Sequence, residues 1–127
     1  MKRILIVEDD AVLRRTYEIL FERNGFEAAV ADNGLSAWLE IKAQPPDVIV
    51  TDITMPGMDG LALIREVRKE YPHIPLIAIS GGQTVRNVDF QPYAKRDGVD
   101  IFFEKPIHNA DLLQAVETLL TKKKSEE

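Results

Sequence analysis

Short apolar runs of strand length alternate along this chain with longer segments whose apolar residues recur at helical spacing, and nothing else in the sequence constrains the fold as strongly. Ile4-Leu5-Ile6-Val7, Val48-Ile49-Val50, the stretch from Leu76 to Ile79 opened by Pro75, and Asp100-Ile101-Phe102-Phe103 read as strands; Ala28 to Ala31 reads as a weaker one. Nearly unbroken, β-branched runs of this kind belong to strands buried on both faces. Between them, Val12, Leu13, Tyr17, Leu20 and Phe21 fall on one helical face. So do Leu61, Ile64, Val67 and Tyr71, and finally Leu112, Leu113, Val116, Leu119 and Leu120. Ala37, Trp38 and Ile41 mark another helix, which Pro45-Pro46 ends; Gly25 and Asp32-Asn33-Gly34 are turn signals. A strand, a helix and a further strand in succession require parallel pairing through a crossover, with helices covering both sheet faces.

The expected fold is therefore α/β: a doubly wound, five-stranded parallel sheet in the order 2-1-3-4-5, flanked by five helices in the flavodoxin-like manner. With 127 residues the chain suits one core. We expect the domain to span residues 1–121, with a frayed, charged tail at 122–127 whose lysines complement the negative end of the last helix. A formal net charge of −5 argues against a nucleic-acid footprint. The absence of cysteine removes disulfides and thiolate metal sites from consideration. The apolar stretch near the N-terminus is too short for a leader or a membrane span, so a cytoplasmic location is expected.

In an open parallel sheet, ligands bind beyond the carboxyl ends of the strands, where the strand order reverses. Glu8-Asp9-Asp10 follows the first strand, Asp52 the third, Ser80 the fourth and Lys105-Pro106 the fifth. With strands one and three adjacent, Glu8, Asp9 and Asp52 share a pocket. Three carboxylates together either raise a pKa or bind a cation, and an all-oxygen set that leaves room for a phosphate suits Mg²⁺. Asp52 is placed as nucleophile, since carboxylates form acyl phosphates. Lys105 and the Ser80 hydroxyl are placed as partners of the phosphoryl oxygens. Each signal alone has a plainer reading: Asp10 as a helix cap, Asp52 as a turn former, Ser80 in Ser80-Gly81-Gly82 as loop chemistry, Lys105 as a surface turn. Their shared position at one end of four strands favours the site.

Three segments resemble the receiver domain of two-component response regulators, of the chemotaxis-regulator type. They are Ile4-Leu5-Ile6-Val7-Glu8-Asp9-Asp10, Val50-Thr51-Asp52-Ile53-Thr54-Met55-Pro56-Gly57-Met58-Asp59-Gly60 and Glu104-Lys105-Pro106-Ile107. The resemblance implies that Asp52 is the phosphoacceptor, that Asp9 binds Mg²⁺ directly with Glu8 as its acidic partner, and that Thr54 offers the metal a backbone carbonyl. It implies that Ser80 and Phe102 are the switch pair, and that Lys105 is the essential lysine, joined to Pro106 by a cis bond. It further implies a sensor histidine kinase or histidine phosphotransfer protein as donor. Signalling to a downstream protein would run through the face of the fourth helix, fifth strand and fifth helix, and a phosphorylation-dependent homodimer is one form this takes. Such a domain is a switch rather than an enzyme, catalysing only its own phosphorylation and dephosphorylation.

The stretch after Ser80 departs from the pattern. The span from Ser80 to Lys105 looks a few residues longer than usual, and the fourth helix, expected near Phe90 to Gly98, has a poor apolar face: Pro92 must sit in its first turn or break it, while Gln91 and Asp97 stand where apolar residues are expected. Either it is a short surface helix or it is labile and orders on phosphorylation or binding. Three other functions suit the fold. A phosphorylation-independent binding module would normally have lost an acceptor, ligand or lysine. A Mg²⁺-dependent phosphohydrolase would want a second acid where Thr54 stands. A flavin-binding domain would want a glycine-rich phosphate loop where Glu8-Asp9-Asp10 stands.

Overall fold

The computed structural model describes residues 1–53, 60–81 and 91–126. Strands β1 (Arg3–Val7), β2 (Glu27–Ala31), β3 (Val48–Asp52), β4 (Leu76–Ser80) and β5 (Ile101–Glu104) alternate with helices α1 (Ala11–Arg23), α2 (Gly34–Ala43), α3 (Gly60–Glu70), α4 (Gln91–Arg96) and α5 (Asn109–Glu126). The strands form one parallel sheet in the order β2-β1-β3-β4-β5, as expected. Strand side chains alternate between two cores. Ile4 and Ile6 of β1 pack with Tyr17 and Phe21 of α1 and Leu112 and Val116 of α5. Leu5 and Val7 pack on the opposite face with Ala37 and Ile41 of α2 and with Leu63 and Val67 of α3. Val12, placed on the apolar face of the first helix by spacing, is 76% exposed.

Local chemistry sets the helix ends. Asp10 accepts from the N–H groups of Val12 and Leu13, and Asn33 from that of Ser36, so each satisfies amides that an N-terminus leaves open. After α1, Gly25 takes φ 87°, Gly25 N–H bonds Glu22 O and Phe26 N–H bonds Phe21 O. Edge-on stacking of Phe26 against Phe21 completes this left-handed cap. The same device ends α4: Gly98 has φ 99°, its N–H bonds Lys95 O, and Val99 N–H bonds Ala94 O.

Several boundaries differ from the sequence expectation. Asp52 and Ser80 are the last residues of their strands rather than the first beyond them, because Ile53 N–H still bonds Ile79 O and Lys105 N–H bonds Ser80 O. Asp100 lies outside β5; its carboxylate accepts from Leu76 N–H and from Arg68. α4 is shorter than expected, with Pro92 in its first turn, and Phe90 lies outside the described residues. The side chain of Asp97, where an apolar one was expected, is only 7% exposed and pairs with Arg65 at 3.1 Å and with Arg96. α5 continues past residue 121 to Glu126, with neither glycine nor proline to stop it.

Candidate functional site

β1 and β3 are neighbours, with Val7 in register with Thr51. Residues just past Val7 therefore reach the end of β3, where Asp52 lies. Glu8 N–H bonds Ala31 O, which extends the ladder by one residue and turns the Glu8 side chain inward. Glu8 and Asp52 are 2% and 3% exposed, whereas Asp9 is exposed. Carboxylate oxygens of Glu8, Asp9 and Asp52 lie within 4.8 Å of one another. Opposite them, the Lys105 ammonium donates to Glu8 Oε1 at 2.6 Å and to Asp52 Oδ2 at 2.8 Å. The Lys105–Pro106 bond is cis. Gly60, at the start of α3, packs so closely that a methyl group there would overlap the Ile53 Cα and the Asp52 carbonyl.

The charges are strongly coupled. Burial, then a hydrogen bond with Asp52, pushes the Glu8 carboxyl up to about 8, and the Lys105 ammonium offsets only part of that rise. Burial works against the Lys105 ammonium, but its bonds to Asp52 and Glu8 outweigh it and leave its pKa raised. Burial and then the Glu8 charge also raise the Tyr17 phenol. Tyr17 and Lys105 line, with Leu13, Pro106, Ile107 and Asn109, a cavity of about 290 Å³ beside the site.

The structure thus brings together Glu8, Asp9, Asp52 and Lys105. Ser80 is nearby and 4% exposed, but its hydroxyl donates locally to Gly81 O at 3.2 Å. Phe102 pairs in register with Ala78 and lies half-buried against the α3–α4 side of the core. Thr54 lies outside the described residues. Arg14 went unnoticed in the sequence: its Nη1 donates to Glu8 O at 3.0 Å and to Asp9 O at 3.5 Å. Its one sequence signal is a position four residues after the capping Asp10. The three carboxylates make an all-oxygen donor set, which fits a hard divalent cation. Among the described residues no helix is long and apolar enough to cross a membrane.

The family model for the response regulator receiver domain matches residues 4–117. The response regulator receiver protein CpdR of Brucella abortus (strain 2308) is 36% identical over 121 residues, covering 94% of this chain and 98% of that one. The transcriptional regulatory protein CseB of Streptomyces coelicolor is 32% identical over 117 residues; they cover 92% of this chain and 48% of CseB, so the chain spans about half of that relative. Among solved structures, a CheY-like response regulator receiver domain protein from Methanospirillum hungatei JF-1 superposes with a TM-score of 0.91 at 26% identity, covering 100% of this chain and 99% of that one.

Proposed function

The chain belongs to the response regulator receiver domain family, and from that premise we propose that Asp52 is the residue that carries its phosphoryl group. Phosphorylation-based signalling is the general function of this family; its domains are signalling modules rather than conventional enzymes, and they work with histidine kinases and downstream effectors. The observation that carries the assignment is one ammonium, that of Lys105, hydrogen-bonded to two buried carboxylates that come from the ends of adjacent strands.

In this reading the Asp52 carboxylate forms a P–O bond while the donor's P–N or P–O bond breaks, and the leaving group departs with the electron pair. Receiver domains generally bind Mg²⁺ in an acidic pocket; here Glu8, Asp9 and Asp52 would hold it, with the Thr54 carbonyl, and the bound ion supplies positive charge to the phosphoryl oxygens. Lys105 stands ready to move its bond from the Asp52 carboxylate to a phosphoryl oxygen, a donor already ionised and fixed in place. Ser80 exchanges its local bond to Gly81 for a phosphoryl oxygen, and Phe102 turns toward the space vacated. The face of α4, β5 and α5 then changes its contacts, a population shift driven by bonds present in one state alone. A sensor histidine kinase or a phosphotransfer protein as donor, a protein target, the domain limits of 1–121 and a cytoplasmic setting belong to the same proposal.

Incubation with Mg²⁺ and acetyl phosphate, followed by intact-mass measurement, tests it. We expect a single phosphoryl adduct that disappears in Asp52→Ala and after EDTA. An adduct of equal yield on Asp52→Ala would move the acceptor elsewhere. A lack of any adduct, together with no beryllofluoride binding, would favour a binding module that works without phosphate.

A further inference from the structure

Three successive carbonyl groups of the acidic loop accept hydrogen bonds from one residue. Arg14 Nη1 donates to Glu8 O (3.0 Å) and to Asp9 O (3.5 Å), and its backbone N–H donates to Asp10 O (2.9 Å). Asp10 in turn caps α1 through Val12 N–H and Leu13 N–H, so the loop and the first turn of the helix close on each other. The carbonyls of Glu8 and Asp9 lie beyond the last residue of β1, and a carbonyl at a strand end needs a donor. One guanidinium nitrogen of Arg14, Nη1, donates to both carbonyls.

We propose that Arg14 is a positioning residue for the divalent-cation site: it holds the backbone of residues 8–10 so that the buried Glu8 carboxylate and the exposed Asp9 carboxylate face the end of β3 together. The inference rests on the metal-site reading above, and it goes beyond it by naming the residue that arranges the ligands. It also reverses the sign of a simpler expectation. Arg14 is a cation close to a cation site, so charge alone makes its removal tighten metal binding. Positioning makes its removal weaken binding, by about tenfold or more, the usual cost of losing a group that orients metal ligands.

The test is direct titration of the full chain with Mn²⁺ by electron paramagnetic resonance and with Mg²⁺ by calorimetry, with thermal melting of each metal-free protein alongside. We expect Arg14→Ala to weaken both ions about tenfold and Arg14→Lys, whose ammonium lies one bond short of the Nη1 position, to fall between it and the wild type. Arg15→Ala, which removes the neighbouring arginine paired with Glu18 on the surface, should leave affinity unchanged. Unchanged or tighter binding by Arg14→Ala overturns the proposal while the metal site stands. Where Arg14→Ala does not fold, Arg14→Lys decides: wild-type affinity in a folded Arg14→Lys also overturns it. A wild-type protein that binds neither ion overturns the metal-site reading itself and the proposal with it.

Discussion

Water barely reaches Glu8 and Asp52, and a single ammonium serves both. Two carboxylates this close cannot ionise independently. The Glu8 carboxyl, raised from 4.5 to about 8 by burial and by Asp52, keeps its proton at neutral pH in the metal-free protein. The unfolded chain releases that proton at ordinary carboxylate pH, so between the two values the native state holds more protons. Its contribution to metal-free stability is present at low pH and is lost as pH rises through about 8. Proton and metal compete for one carboxylate, so Mg²⁺ affinity should climb with pH, by up to about tenfold per unit below that value. Calorimetry across this range should show the climb in the wild type and a flat, weaker profile in Glu8→Gln. A flat wild-type profile would mean that folded Glu8 is already ionised. The acids and Lys105 were legible in the sequence because strand ends announce them. Arg14 was not, because a side chain that reaches back to main-chain carbonyls leaves in the residue string only its position four residues after the capping Asp10.

At the scale of elements, α4 is the weak member. Six residues are too few to make a stable helix alone, so its order comes from neighbours. Ala94 anchors it in the core and Gly98 caps it. α3 holds the turn that follows: Arg65 pairs with Asp97, while Arg68 donates to Gly98 O, Pro72 O, Ile74 O and the Asp100 carboxylate. Arg68→Ala leaves several carbonyls short of a donor and should cost about 2–3 kcal/mol in urea unfolding. Hydrogen exchange at Asp97, Gly98 and Val99, whose amides bond back into α4, should be slow in the wild type and accelerate in Arg68→Ala. Fast exchange there in the wild type would instead favour a helix that orders on phosphorylation or binding. The sequence showed this helix poorly because its stabilising contacts are ion pairs made across about thirty residues, which no local period records. The strands were placed to within a residue or two because a buried apolar run is itself a local record of burial.

Seen whole, the molecule joins its functional groups at the carboxyl end of the sheet. Lys105 meets Asp52 across 53 positions and Glu8 across 97, so the site exists only when β1, β3 and the turn after β5 are all in place. The strand order was legible as the common arrangement of five alternating strands and helices; it makes strands one and three neighbours, as they are in the structure, and from that the convergence of their acids followed. A site assembled from such distant segments must return stability to the fold when it is filled. A ligand that binds the native state alone stabilises it by about 2.7 kcal/mol at one hundred times its Kd, enough to raise the melting temperature of a domain this size by several degrees. Melting in rising Mg²⁺ should therefore shift upward with the logarithm of concentration above Kd. Asp9→Asn should abolish most of that shift while melting like the wild type in EDTA, since Asp9 is exposed and its side chain supports no core contact. An Asp9→Asn protein that kept the full shift would place the ion elsewhere on this acidic surface. A wild type with no shift would overturn the cation site formed by the three carboxylates.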